Sequence, residues 1–282
     1  MNRRICEDML GCCWSQRSQA CYQPKLEPGP EHQLCGSPLI RRIYRGEQAK
    51  KSWTSFVYLE MGSGKGKTSC GGTLIDRDIV LTAAHCFKNR VSWIRAWPGF
   101  YDRLNASDPI EVYQFVVNKG AQLWPNGVRY DLALLKLSRP AQGCKLACLP
   151  PFGTQPEAGE RCITVGVGKT GPADSTSVSQ TQQELQMEII QQLRCGVYDT
   201  TLCAADVNKT GYTCSGDSGG PLYCTGKYDG NIELNYVKGV LIGGKHPCSV
   251  TNNNLHNFYT STASFRYWIE KVKYIWKLGC KH

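Results

Sequence analysis

The 282-residue chain predicts an all-β fold, two antiparallel barrels followed by one C-terminal α-helix, and three observations lead there. Short β-branched runs such as Asp78-Ile79-Val80-Leu81-Thr82 recur throughout, and β-branched residues suit a pleated, half-buried surface. Turns are plentiful, with 29 Gly and 14 Pro, and a Pro150-Pro151 break separates two sets of such runs. Only the last segment carries a convincing helical period.

Residues 1–42 stand apart. Cys6, Cys12, Cys13, Cys21 and Cys35 crowd into them, and Pro24, Pro28, Pro30 and Pro38 follow, which reads as a small disulfide-dependent unit and an extended linker. Cys6, then Gly11-Cys12-Cys13-Trp14, then Cys21-Tyr22-Gln23-Pro24 resembles the second half of a trefoil (P-type) domain over residues 1–24. That family has two further cysteines upstream, and its pairing would join Cys6 to Cys21 and leave Cys12 and Cys13 without partners. An unrelated Cys-rich segment is the alternative. Residues 25–42 form a propeptide-like linker ending at Arg41-Arg42-Ile43, where a dibasic pair in an exposed linker offers a cutting site for a trypsin-like activator.

From Ser55 to Leu137 about six strands are expected: Ser55–Leu59, Gly72–Ile75, Ile79–Thr82, Val91–Ala96, Val112–Val117 and Leu132–Leu137. The second set comprises Cys162–Val165, Glu184–Ile190, Leu222–Cys224, Tyr236–Ile242 and Phe258–Thr260. The barrels thus divide at about residue 150. Phe265, Trp268, Ile269, Val272, Ile275 and Trp276 fall on one face of a helix, with Arg266, Glu270, Lys273 and Lys277 opposite. Docking on the core explains that pattern without a membrane.

Composition narrows the function classes. Sixteen cysteines spread along the chain, not grouped as paired C-x-x-C clusters, point to disulfides and an oxidising compartment rather than to metal. The sequons Asn105-Ala106-Ser107 and Asn208-Lys209-Thr210 agree with secretion and glycosylation. Met1-Asn2-Arg3-Arg4 runs into Ile5-Cys6 without an apolar core for a signal peptide, so an internal start is expected, and no run is long enough to span a bilayer. The net charge of +10 comes from scattered residues, which suits a solvated surface rather than a nucleic-acid site.

Three motifs carry the chemistry. Cys214-Ser215-Gly216-Asp217-Ser218-Gly219-Gly220-Pro221 sets a serine in a tight glycine-rich turn, able to hold a hydroxyl out and amides inward. Leu81-Thr82-Ala83-Ala84-His85-Cys86 supplies an imidazole, and Tyr130-Asp131-Leu132-Ala133-Leu134-Leu135 a carboxylate. The order His, Asp, Ser is that of chymotrypsin. On these residues, 43–282 resembles a trypsin/chymotrypsin-like serine endopeptidase.

The resemblance implies two six-stranded barrels with the active site between them, protein or peptide substrates, possible protein inhibitors, and no cofactor or metal. It implies Ser218 as nucleophile, His85 as general base and acid, Asp131 as the carboxylate that fixes the imidazole, and the amides of Gly216 and Ser218 as oxyanion hole. Cleavage after Arg42 would free an Ile43 ammonium to pair with Asp217, making the uncut chain a zymogen. It also implies the disulfides Cys70–Cys86, Cys162–Cys224, Cys195–Cys203 and Cys214–Cys248. Cys35 would bond Cys148 as a tethered propeptide. Cys144 and Cys280 are left over, and a bond between them is expected from the terminal helix packing near the connection between the barrels.

The substrate pocket departs from the family. Its residues fall on Tyr212, Thr213, Ser215, Ile242, Gly243, Gly244 and Asn257. Tyr212 occupies the base, where an Asp would specify cleavage after Arg or Lys, so specificity is not trypsin-like. Tyr212 either fills the pocket and admits small side chains, or swings aside and offers its hydroxyl. Ile242-Gly243-Gly244 stands where the family has Ser-Trp-Gly, removing a hydroxyl that supports the catalytic Asp and an indole that walls the cleft. A catalytically weak homologue acting as a binding or regulatory module is therefore the alternative function.

Overall fold

The computed structural model describes residues 52–278, except 65, 89–90, 125–126, 155, 171–177, 197–199, 209–210, 229–231 and 245–255, together with 13–15, 20–22 and 35. A short antiparallel pair, β1 (Cys13–Ser15) with β2 (Ala20–Tyr22), lies in the N-terminal segment. Of the other described strands, twelve form two closed six-stranded barrels, the all-β architecture expected.

The first barrel contains β3 (Phe56–Ser63), β4 (Gly66–Asp76), β5 (Ile79–Thr82), β6 (Trp93–Pro98), β7 (Ile110–Val117) and β10 (Ala133–Leu137), closed in the order β10-β5-β4-β3-β6-β7. The period-2 pattern is plainest in β7, where Glu111, Tyr113 and Phe115 are exposed between more buried neighbours. Leu59, Leu74, Val80, Leu81, Leu134 and Leu135 are fully buried. Between β7 and β10 lies a small hairpin, β8 (Gln122–Trp124) with β9 (Gly127–Arg129), which the sequence reading lacked.

The second barrel is closed in the order β11-β12-β13-β16-β15-β14: β11 (Arg161–Gly166), β12 (Gln183–Ile190), β13 (Thr201–Asp206), β14 (Pro221–Tyr228), β15 (Ile232–Gly244) and β16 (His256–Ser261). Strand β13 was also missed. Its Thr-Leu-Cys-Ala-Ala-Asp sequence has one β-branched residue and no aromatic, so propensity is silent and only pairing with β12 and β16 makes it a strand. A short helix, α1 (Gln192–Cys195), precedes it.

Buried polar groups join the barrels. Gln182 is fully buried, accepts from Trp53 N at 2.9 Å and donates to the carbonyls of Trp53 and Phe100. The Trp53 ring stacks on Tyr223 at 4.9 Å, and Ser55 Oγ lies 2.8 Å from Tyr223 Oη. The terminal helix α2 (Arg266–Lys277) buries Ile269, Val272 and Trp276 in the larger core cluster, which is made mostly of first-barrel residues and extends to Val165, Tyr223 and Val240 of the second, as its apolar stripe anticipates. Its Arg266 is less solvated than the amphipathic pattern suggests, lying 3.2 Å from Glu270 and 5.3 Å over the Phe152 ring.

The structure pairs Cys35 with Cys148, Cys70 with Cys86, Cys162 with Cys224 and Cys195 with Cys203. Cys214 is also disulfide-bonded. One expected bond fails: Cys144 is a free thiol. It packs against Gly99, where an added Cβ would sit 3.0 Å from its sulfur, and Sγ donates to Gln142 O at 3.4 Å. Burial raises its pKa. Its expected partner, Cys280, lies outside the described residues.

Candidate active site

The turn carrying His85 follows directly from β5. Ala84–Phe87 forms one turn of 3-10 helix, pinned by the Cys70–Cys86 bond to the neighbouring strand β4. Asp131 sits just before β10, paired with β5 on its other side, and is fully buried. Strand order therefore brings the two together. Asp131 Oδ1 accepts from the His85 amide at 2.8 Å, and Oδ2 lies 2.6 Å from His85 Nδ1. An ionised carboxylate can only accept, so Nδ1 carries the proton and Nε2 is the basic nitrogen.

Ser218 comes from the second barrel. The loop is two linked turns, with Asp217 N bonded to Cys214 O at 3.0 Å and Gly220 N to Asp217 O at 2.9 Å. Gly219 N donates to Leu241 O, and Leu241 N to Gly220 O, fastening the loop to β15. From the first barrel, Gly71 N on β4 donates to Ser218 O at 2.7 Å, and Thr82 Oγ1 on β5 to Gly71 O at 2.7 Å. Gly216 at φ 101° and Gly219 at φ 79° take backbone conformations that L side chains resist. Among the described residues, the amides of Gly216 and Ser218 donate to no carbonyl, and Ser218 Oγ and His85 Nε2 have no hydrogen-bond partner. Such contacts commonly tighten only around substrate.

Asp217 turns away from the serine. Its Oδ1 accepts from Gly168 N at 2.7 Å and Oδ2 from Cys214 N at 2.9 Å. Burial pushes its pKa up to about 6, opposed by backbone donation from Cys214, Gly168 and Val167. A Cβ on Gly166 would lie 2.0 Å from Oδ1, and one on Gly168 2.7 Å from the carboxyl carbon. Gly166-Val167-Gly168 is thus a cradle for this carboxylate. The sequence reading missed it, although two glycines closing an apolar strand were the available signal. Arg42 and Ile43 lie outside the described residues.

Of the residues expected to line a substrate pocket, the structure brings Thr213, Asn257 and Gly244 together. Thr213 Oγ1 donates to Asn257 Oδ1 at 2.5 Å, and Asn257 pairs with Gly244 across β15 and β16. Asn257 is 1% exposed, and its Nδ2 has no hydrogen-bond partner. Tyr212 is half-buried and engaged with a neighbour, and Ser215 is exposed. Ile242 occupies the bulge between Leu241 and Gly243, and a side chain built on Gly243 would meet open space. Cys195 and Cys203 with His256, and Cys162 and Cys224 with Glu160, bring metal-type ligand atoms together, but each group is built around a disulfide, whose sulfurs are not thiolate ligands.

Two closed barrels, with a His–Asp pair on one facing a glycine-rich serine loop on the other, define the chymotrypsin-like class of serine endopeptidase. The trypsin family profile matches residues 43–269, and the chain belongs to the trypsin family. It is 32% identical to transmembrane protease serine 7 of Rattus norvegicus over 252 residues, 83% of this chain and 29% of that protein. It is 31% identical to tonin of Rattus norvegicus over 248 residues, covering 81% of this chain and 87% of tonin. Renal glandular kallikrein of Mastomys natalensis is 29% identical over 259 residues, 83% and 91% of the respective chains. The chain thus spans less than a third of the length of the transmembrane protease it matches. Among the described residues, no helix is long and apolar enough to cross a membrane.

Proposed function

We propose that this chain is a secreted endopeptidase made as a zymogen, hydrolysing peptide bonds through Ser218, His85 and Asp131 with a specificity that is not trypsin-like. The observation that carries the reading is the 2.6 Å contact between His85 Nδ1 and the fully buried Asp131, with the Ser218 carbonyl held on the adjoining strand. His85 Nε2 takes the Ser218 proton as Oγ attacks the scissile carbonyl, then returns it to the leaving amine. Water hydrolyses the resulting acyl-enzyme by the same exchange. Asp131 holds the tautomer and stabilises the imidazolium. The amides of Gly216 and Ser218 receive the oxyanion, each worth on the order of 3 kcal/mol of barrier.

Activation follows from Asp217. A half-buried carboxylate with a raised pKa, served only by backbone amides among the described residues, is an acceptor for a cation, and the Ile43 ammonium freed by an activating protease cutting after Arg42 would supply it. The Cys35–Cys148 bond would keep the cut propeptide attached. The exposed Asn105 and Asn208 side chains suit glycosylation in a secretory route. Protein inhibitors would occupy the same cleft.

The test is to cleave after Arg42, add an organophosphorus serine reagent and map the adduct by mass. Labelling on Ser218 alone supports the reading; properly cleaved protein that takes no label sinks it. Tyr212 and Ile242 favour one second reading, a homologue whose cleft binds a partner without turnover, and unlabelled, cleft-competent protein would support that instead.

A further inference from the structure

Both oxygens of the Asp131 carboxylate are used by a single residue. Among the described residues their donors are the amide and ring nitrogen of His85 and nothing else. The amide bond ties the carboxylate to the turn pinned by Cys70–Cys86, so both side-chain contacts come from the first barrel. A carboxylate that orients an imidazole must itself be held. Strand β15 does not hold it with a hydroxyl, because Ile242 presents an aliphatic side chain at its bulge.

The hold comes through the backbone. Thr260, 1% exposed on β16, donates its hydroxyl to the Asp131 carbonyl at 3.3 Å. Tyr130, one residue upstream, has φ 54°, and it is the one non-glycine residue with positive φ among those described. For a bulky side chain that conformation needs outside support. The ring is edge-on to Phe265 at 5.5 Å and lies over Gly120, where a Cβ would sit 2.9 Å from Cδ2. The turn closes through Leu132 N to Tyr130 O and Asn118 N to Leu132 O, both 2.9 Å.

Thr260 and Phe265 belong to one continuous piece of the second barrel, the end of β16 and the residues entering α2. That piece is itself fixed, with Thr262 N donating to Lys238 O at 3.0 Å, Thr262 Oγ1 to Val237 O at 2.6 Å and Phe265 N to Thr262 O at 3.2 Å. We infer that Asp131 is positioned from the second barrel by this segment, with the Thr260 hydroxyl and the strained Tyr130 turn as positioning residues that set where the carboxylate meets His85. The inference rests on the proposed roles of Ser218, His85 and Asp131.

Three variants test it in protein cleaved after Arg42: Thr260→Val, Thr260→Ser and Thr260→Val with Ile242→Ser. Thr260→Val is expected to lower kcat about tenfold or more with KM within about twofold, since small displacements in such sites are costly. It should also move the acidic limb of the pH–rate profile to lower pH, because a displaced carboxylate stabilises the imidazolium less. Thr260→Ser keeps a hydroxyl and should recover most of the loss, and Ile242→Ser should recover part of it by giving the carboxylate a donor from β15. Should Thr260→Val not fold, Tyr130→Ala carries the same expectation from the other contact.

A second readout needs no turnover. The His85 Nδ1 proton, strongly bonded to Asp131, gives a far-downfield proton resonance, and Thr260→Val should shift it upfield or broaden it away. Wild-type kcat, limb and resonance in Thr260→Val would overturn the inference. So would a kcat loss with unchanged limb and resonance, which marks general damage. A wild type that shows the resonance but takes no label on Ser218 defeats the catalytic reading alone, and the resonance in the variant still decides the positioning.

Discussion

Replacing Gly219 by alanine adds one methyl group next to the proposed nucleophile, and the structure says what it meets. The new Cβ would lie 2.2 Å from Thr82 Oγ1, 2.6 Å from Gly71 O and 3.1 Å from Ala83 N. Two of these three atoms are backbone, so relief cannot come from swinging one side chain. At φ 79° an L residue costs about 1–2 kcal/mol from its own sterics. Displacing Thr82 Oγ1 also breaks its buried bond to Gly71 O, worth roughly 1–3 kcal/mol when one partner is left unpaired.

The sum is about 2–5 kcal/mol, which for a domain of this size lowers Tm by about 4–20 °C. Gly159→Ala is the matched control. Gly159 has φ 88° but open space around the added Cβ, so it reports the backbone strain without the contacts, about 2–8 °C on the same scale. Thermal unfolding by near-ultraviolet circular dichroism gives the stabilities, and covalent titration with the serine reagent gives the functional fraction. A Gly219→Ala protein that melts no lower than Gly159→Ala and labels at the wild-type rate would refute the packing described for the serine loop.

Asp131→Asn should leave the fold and KM nearly unchanged and lower kcat by about four orders of magnitude by allowing the wrong imidazole tautomer, as pre-steady-state turnover of the cleaved protein would show. In the uncut chain, Asp217 has a folded pKa of about 6 against an ordinary 3.8, so its contribution to stability is present below pH 4 and lost as pH rises through 6. Relative to wild type, Asp217→Asn should therefore gain stability between pH 4 and 7 in parallel melts; a pH-independent difference would contradict the raised pKa. Cys144, with its pKa raised by burial, should alkylate more slowly than free cysteine at pH 8, and Cys144→Ser should shift Tm by no more than about 2 °C. Peptide mapping of native protein that finds Cys144 joined to another cysteine would overturn its assignment as a free thiol.

Much of the fold was legible because its signals are local. The runs that became β3, β5 and β10 are continuous aliphatic or β-branched stretches, β7 alternates, and the stripe of α2 repeats at helical spacing. Strand β13 was not legible, since Cys203, Ala204 and Ala205 have no strong propensity and the strand exists through its neighbours. His85, Asp131 and Ser218 stand out as candidates in the sequence because motif order is a one-dimensional property. The Thr260 contact to Asp131 and the Gly166–Gly168 cradle under Asp217 are not, because each joins residues far apart in the chain. Nor does sequence tell that Cys144 faces Gly99.

The relation between His85 and Ser218 is set by neither residue. Cys70 on β4 ties down the His85 turn through its disulfide to Cys86, and the next residue, Gly71, receives the serine loop by donating to Ser218 O. Two consecutive residues of one strand thus hold both partners, one covalently and one by a hydrogen bond across the barrels. Gly71 must be glycine for this, because a Cβ there would lie 2.9 Å from the Gly220 Cα and push the loop away. The bond from Thr82 to Gly71 O adds β5, the strand that leads into His85, to the same node. Strain at Gly219 or Gly71 is therefore expected to separate His85 from Ser218 before it unfolds either barrel, since this node supports both.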